Sequence, residues 1–187
     1  MNVFLIAALL AGVGASRQRP PPADDGKTVV EQLSPEQIRA RINGYLGSID
    51  TAISASRWRA LGPQAAPVLE EIARSQALPT RRAKALEGLS AVGGPGAAEL
   101  VTKLAQSEDE PQIVRLAAVR GAGRLMPTGR LWTLLRPVLE NSRDLQLRAG
   151  AAEVLAHHGR CGAVKAQAAR EKDEEREAFG RALEKCR

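Results

Sequence analysis

The chain has 187 residues, a net charge of +6 and a sequence pI near 9.9. Aromatic residues make up only 3% of it, whereas 32 Ala, 22 Leu and 21 Arg are strong helix formers, which argues against an all-β sandwich or barrel. No apolar run reaches the roughly 18 to 20 residues of a membrane-spanning helix, and the basic charge favours an anionic partner of some kind.

The N-terminus carries a short apolar run, VFLIAALLAGVGA, over residues 3–15. It ends in small residues, and Val13 and Ala15 satisfy the rule for cleavage before Ser16, which is typical of a secretory signal peptide over residues 1–15. Only the α-amino group supplies positive charge ahead of the run, and a buried N-terminal helix is the alternative. We therefore expect a periplasmic or secreted protein.

A flexible linker and then a folded domain are expected after the signal peptide. Residues 16–33 contain three consecutive prolines with flanking charges, a composition that cannot build a core. The folded domain is expected over 34–187. It opens on a sharp helix start, because Ser34 can cap, Pro35 suits the first helical position and Gln37 completes a capping box.

The folded part reads as a chain of short helices. After about residue 60, Pro or Gly interrupts the chain every 10 to 16 residues, and each segment has apolar residues at helical spacing. No segment shows the alternation of a strand. The fold class is therefore predicted to be all-α.

An internal repeat organises these helices. Arg82, Arg115 and Arg148 are spaced 33 residues apart, and an Ala follows each of them three positions later. A pair of short helices cannot bury both of its apolar faces alone, whereas stacked pairs form a continuous core. Small residues such as Gly121 allow the helices to approach closely.

The segments IVRLAAVRGAGRL, LQLRAGAAEVLAHHG and ALGPQAAPVLEEIA resemble bacterial HEAT-like repeats. The resemblance covers about residues 55 to 160 well, and the flanking parts of the folded domain loosely. It implies an α-solenoid of about four to five stacked HEAT-like helix pairs. It also implies a structural role for Arg82, Arg115 and Arg148, which bond near the turn between repeats. An anion-binding arginine ladder is the alternative role.

Two cysteines in an exported chain are candidates for a disulfide. A continuous helix between Cys161 and Cys186 would separate them by about 37 Å. However, residues 172–175 read as a turn with a new helix start, and Arg176 then begins a shortened final repeat. An antiparallel pair of helices brings its ends together, so we predict a Cys161–Cys186 disulfide. Two free thiols in a protein that is not exported are the alternative.

Motifs for chemistry are missing from the sequence. The chain has two histidines, and adjacent residues such as His157 and His158 point in different directions on a helix, so they cannot easily share a metal ion. In the repeat register His158 falls near the core and His157 near solvent. No metal-binding, nucleophile or phosphate-loop motif is present. We therefore expect no enzyme activity, no cofactor, no metal and no small-molecule substrate.

One surface stands out as a candidate for partner binding. Trp132 is a large aromatic where the aligned helices have alanine, and Arg136 follows it on the same side of the helix. Trp and Arg are typical of interface hot spots, and Lys103 and Arg74 could extend the surface. The more common case is that Trp132 fills a local gap and Arg136 stacks on it as a cation–π pair.

The sequence therefore predicts a non-catalytic, protein-binding scaffold of the cell envelope or secreted fraction. The alternative is a nucleic-acid-binding protein that uses its basic surface, although the positive charges are scattered and few aromatics are present for stacking. A third class is enzymatic, because some HEAT-like proteins are bilin lyases or alkylpurine DNA glycosylases. The chain shows no matching catalytic constellation.

Overall fold

The computed structural model describes residues 33–48 and 51–187. The expected signal peptide and the expected linker lie outside these residues, except for Leu33, which is half-buried and packs against the core. The described part is all-helical and contains no strand, as predicted. None of its helices combines the length and the apolar character needed to cross a membrane.

Short connections join the helices. In chain order their bounds are α1 Pro35–Gly47, α2 Ala55–Arg59, α3 Ala66–Arg74, α4 Pro79–Val92, α5 Ala97–Gln106, α6 Gln112–Leu125, α7 Thr128–Asn141, α8 Leu145–His157, α9 Cys161–Ala168, α10 Asp173–Arg176 and α11 Gly180–Lys185. Single 3-10 turns at Pro63–Ala65 and Glu177–Phe179 precede α3 and α11.

Side-chain caps set the first helix starts. The Gln37 amide N–H donates to Ser34 Oγ (3.3 Å) and the Ser34 amide donates to Gln37 Oε1 (2.8 Å), which forms the predicted capping box. The second helix is short and also begins at a side-chain cap. Its first residue is Ala55, because Ser54 caps this end by accepting from the Arg57 amide (3.3 Å).

The contacts divide most of the helices into two sets, which we call rows. The first row consists of α2, α4, α6, α8 and α11, each packed against the next. The second row consists of α3, α5, α7 and α9; the first three of these pack on α4, α6 and α8 respectively, and α9 packs on α8 and α11. Wholly buried side chains such as Leu69, Leu86, Val119 and Leu135 fill the space between the rows. α3, α5 and α7 therefore each bury an apolar face against the helix that follows them in the chain.

Glycines permit close approach within the first row. A Cβ on Gly88 would lie 2.8 Å from Trp58 Cε3, and one on Gly121 would lie 2.3 Å from Ser90 Oγ. The arrangement is reversed between α6 and α8. There Val154 occupies the repeat position of Gly121, and it packs onto Gly123, where a Cβ would lie 2.7 Å from Val154 Cγ1.

The last repeat is closed by the predicted disulfide. Cys161 at the start of α9 is bonded to Cys186 after α11, and their Cα atoms lie 5.4 Å apart. α9 and α11 pack against each other, and Phe179 between α10 and α11 is wholly buried. This short helical hairpin ends the described chain.

Candidate functional site

Four arginines occupy one repeated place in the fold. Arg82, Arg115 and Arg148 are the fourth residues of α4, α6 and α8, and Arg176 is the fourth residue of α10. We call these four residues the arginine ladder. The 33-residue spacing of the first three thus corresponds to equivalent helix positions, and the last interval is shorter because the final repeat is shorter.

Most ladder arginines bond the end of the preceding helix. Arg82 Nε–H donates to the carbonyl of Ala73 in the last turn of α3 (2.9 Å), and Arg148 Nη1–H donates to the Ser142 carbonyl after α7 (2.9 Å). Arg176 Nε–H donates in the same way to the last residue of α9 (3.0 Å). The bonds satisfy carbonyls that a helix C-terminus leaves without an intrahelical partner.

Two ladder arginines also pair with a carboxylate from the loop ahead. Arg82 Nη2–H donates to Glu110 Oε1 (2.9 Å), and its Nη1 lies 2.8 Å from Glu110 Oε2 without the alignment of a hydrogen bond. Arg148 binds Glu171 through two hydrogen bonds, Nε to Oε1 (2.8 Å) and Nη2 to Oε2 (2.6 Å). We call each ladder arginine with its loop partner a rung.

The Arg148 rung joins a buried carboxylate to its arginine through two hydrogen bonds. The Glu171 side chain is only 4% exposed, and it also accepts from Gln167 Nε2 (2.8 Å). Hydrogen bonding from Arg148 lowers the pKa of Glu171 below its usual value, against the opposing effect of burial, and the same bond raises the pKa of Arg148. Both groups therefore stay charged at neutral pH.

Arg115 does not follow this pattern. Within residues 33–48 and 51–187 it makes no hydrogen bond and no ion pair, and its buried Nε has no acceptor. It holds the ladder position by helix register alone. Arg82 and Arg148 thus bond the end of the preceding helix, whereas Arg115 bonds no described residue.

Trp132 is half-buried and packs against the core. Two guanidinium groups contact its ring, Arg136 at 5.9 Å and Arg160 at 5.6 Å from the ring centroid. Arg136 also pairs with Glu140 (3.1 Å). The contact of Arg136 with Trp132 is the cation–π pair that the gap-filling interpretation includes. The part played by Arg160 has no local sequence signal, because this residue comes from the turn before α9.

The other two residues of the predicted surface stand apart from Trp132. Arg74 ends α3 and lies 3.8 Å from Glu70, and Lys103 is an exposed residue of α5. In the part of the chain that the structure describes, no ion pair, hydrogen bond or ring contact joins either one to Trp132. The structure therefore brings only Trp132 and Arg136 together.

The two histidines have separate environments, as the repeat register predicts. His158 is half-buried, and its Nε2 donates to the Gly123 carbonyl (2.9 Å) while Nδ1 lies 3.5 Å from Thr128 Oγ1. His157 is exposed. The described residues contain no cluster of His, Cys, Asp or Glu that could hold a metal ion.

A groove runs along the surface of the first row. One cavity of about 440 Å³ lies between α6, α8 and α11, and another of about 400 Å³ lies between α4 and α6. Arg120 lines both of them and also two smaller cavities beside them. We define this surface as the basic groove by its four basic side chains, Lys84, Arg120, Arg124 and Arg181.

Positive charge dominates the basic groove. Its four basic residues face two carboxylates, Glu87 and Glu153. Glu153 lies 3.8 Å from the 80% exposed Arg181, and Lys84 donates to the Ser48 carbonyl. Arg120 and Arg124 are exposed and have no ion pair with any described residue. Sequence reasoning did not single out these two arginines, because only the packing shows which helix faces line a groove.

Comparisons with protein-family models, with curated proteins and with solved structures returned no match to this chain.

Proposed function

We propose that this protein is an exported, non-catalytic scaffold that binds an acidic segment of a partner protein in the basic groove. The observation that carries the proposal is the pair Arg120 and Arg124. These two exposed guanidinium groups lie one helical turn apart on α6, and neither has a counterion among the described residues. Complementary charge of this kind steers and orients a protein partner.

The architecture supports a scaffold role. We infer that the two rows form an α-solenoid of HEAT-like pairs, in which α3 with α4, α5 with α6, and α7 with α8 are successive repeats. α9 with α10 and α11 would be the shortened last repeat, and α1 with α2 would open the array, which makes four to five pairs. A stacked array of this kind offers an extended surface to a partner.

The disulfide supports export. A Cys161–Cys186 bond persists in oxidising compartments and is rare in the cytosol. A periplasmic or secreted protein with the proposed signal peptide should carry Ser16 as its mature N-terminus. Mass spectrometry of the protein isolated from its native host tests this part of the proposal, and a retained Met1 would contradict it.

Protein is favoured over nucleic acid by the state of the aromatic residues. Single-stranded nucleic acid is bound by bases stacking on accessible aromatic rings. Among the described residues, Tyr45 and Trp58 contact each other edge to face, Phe179 is wholly buried and Trp132 is flanked by two arginines. None of these rings is exposed.

Fluorescence anisotropy with the disulfide-intact domain tests the groove. The probes are a labelled ten-residue oligoglutamate peptide and a single-stranded DNA of the same net charge, both at 150 mM salt. We expect the peptide to bind, and the double variant Arg120→Glu/Arg124→Glu to weaken its binding at least tenfold, because attraction becomes repulsion in the groove.

The matched control is Arg59→Glu/Arg130→Glu, which makes the same change of net charge at two exposed arginines outside the groove. This control should bind the peptide within about twofold of the unaltered protein, since exposed charges at a distance are screened. Equal losses in the two double variants would reject the groove as a site. Tighter binding of the DNA than of the peptide would favour the nucleic-acid alternative.

A further inference from the structure

The partner of each ladder arginine comes from one fixed place in the repeat. Glu110 lies two residues before the start of α6, and Glu171 lies two residues before the start of α10. Each of them binds the ladder arginine of the preceding repeat. The rung is thus formed by a first-row helix and the loop that leads into the next one.

The middle rung has a different residue in this place. Two residues before the start of α8, where the repeat calls for the partner of Arg115, the chain has Arg143. Arg143 is exposed, whereas the Glu110 and Glu171 side chains are 19% and 4% exposed. An arginine in an acid's place explains why Arg115 has no counterion, since like charges cannot pair.

We propose that the middle rung, formed by Arg115 and Arg143, is a binding site for a carboxylate group that does not come from the described fold. The two other rungs show the chemistry. At each of them a ladder arginine already holds a carboxylate through more than one nitrogen, in a half-buried setting. The middle rung keeps the same arginine at the same helix position and adds a second guanidinium in place of the chain's own acid.

The residues of the rung fit this ligand class. A guanidinium presents its N–H groups as a fork that matches the two oxygens of a carboxylate. The Arg115 Nε–H is buried and without an acceptor, so it is a donor that a bound carboxylate oxygen would satisfy. Arg143 would supply a second positive charge from the loop.

This site is separate from the basic groove. Arg115 lines none of the groove's cavities, and on α6 it lies about 140° around the helix axis from Arg120. The proposal therefore does not depend on the function proposed for the groove. Variants of the groove and variants of the rung can fail independently.

The first test converts the middle rung into a rung of the ordinary kind. Arg143→Glu should raise the melting temperature by about 3 °C, because the chain then supplies its own carboxylate to Arg115. The gain should fall below about 1 °C in an Arg115→Gln background. Arg130→Glu is the matched control, since it puts the same charge change in the first turn of α7 and should show no such dependence on Arg115. If the gain of Arg143→Glu persists in the Arg115→Gln background, the two residues do not form one site and the proposal is wrong.

The second test observes the ligand directly. The Nε–Hε signals of the arginines are followed by two-dimensional NMR while sodium acetate is added at constant ionic strength against sodium chloride. We expect the Arg115 signal to move while the signals of the paired Arg82 and Arg148 stay in place. In Arg143→Glu the Arg115 signal should no longer respond, because the site is filled. An Arg115 signal that moves no more than the other two would overturn the proposal.

Two peptides distinguish the possible sources of the carboxylate. One is acetylated and amidated, with a single Glu among Gly and Ser residues, and the other has Gln in its place. A response of Arg115 to acetate and to the Glu peptide, but not to the Gln peptide, assigns the site to an acidic side chain of a partner. A response to acetate alone assigns it to a free small carboxylate. A response to the Gln peptide equal to that of the Glu peptide would show that charge is not recognised and would reject the site.

Discussion

Arg148 and Arg115 occupy the same position in neighbouring helices, and their contacts differ. Arg148 holds Glu171 through two hydrogen bonds and reaches the Ser142 carbonyl with a third. Arg115 holds nothing among the described residues. The difference teaches that a repeated arginine acquires its role from the loop that faces it, so equal register does not guarantee equal energetics.

The largest effect is expected at the paired rung. Arg148→Gln should lower the free energy of unfolding by about 3 to 4 kcal/mol, because it leaves a buried Glu171 carboxylate without its cation. Urea unfolding followed by circular dichroism measures the change. Arg130→Gln, at an exposed arginine, should stay within about 0.5 kcal/mol of the unaltered protein. If Arg148→Gln lowers the free energy of unfolding no more than this control does, the Arg148 rung does not stabilise the fold and the contrast with Arg115 is wrong.

The disulfide should matter to one rung and not to the other. It closes a loop with a sequence separation of 25 residues, so Cys161→Ser/Cys186→Ser should cost about 3 kcal/mol. Glu171 lies within that loop, which couples the disulfide to the Arg148 rung. When the cysteine variant is combined with Arg148→Gln, the loss in free energy of unfolding should be smaller than the sum of the two separate losses by at least about 0.5 kcal/mol. When it is combined with Arg115→Gln, the two losses should add. Additivity in both combinations would show that the loop does not support the rung.

The paired rung should also be sensitive to acid. The pKa of Glu171 is lowered by folding from a usual value of 4.5, so its contribution is complete above that pH and is lost as the pH falls through the lower folded value. Glu171→Gln should cost about 2 kcal/mol at pH 7, less than loss of the arginine because the amide keeps one acceptor. Unfolding curves at several pH values should show that the difference in free energy of unfolding between the unaltered protein and Glu171→Gln becomes smaller below about pH 4.5. If this difference stays constant down to pH 3, the stabilisation by Glu171 does not come from its ion pair with Arg148.

The smallest effect is expected at the unpaired rung. Arg115→Gln should change the free energy of unfolding by less than about 0.5 kcal/mol, since no paired group is lost and a buried donor without an acceptor is removed. The same urea experiment measures it. A loss comparable with that of Arg148→Gln would mean that Arg115 stabilises the fold as much as Arg148 does. That result would contradict the difference described between the two rungs.

Local patterns predicted much of the fold. The capping box of Ser34 and Gln37, the helical spacing of apolar residues and the helix start after Lys172 all depend on neighbours within a few residues. The disulfide of Cys161 and Cys186 followed from the same reasoning, because a turn between two short helices brings their ends together.

The surfaces were harder to predict, because they depend on residues that are distant in sequence. Trp132 stood out by size alone, but its ring also contacts Arg160, which lies 28 positions later in the chain. Arg120 and Arg124 follow no unusual pattern, and only the packing of α6 between α4 and α8 makes them part of a groove. The exception at Arg143 could have been found in the sequence by comparing residues five positions before each ladder arginine.

The reversed contact between Val154 and Gly123 gives the repeats a fixed order. If residues 112–144 were deleted, α8 would follow α5 with the ladder spacing intact, and Val154 would meet Ser90 where Gly121 now lies. The Val154 side chain would then clash with Ser90, because the space there is available only next to a glycine. The units of this protein are similar in sequence, yet removing α6 and α7 would require a redesigned contact between α4 and α8.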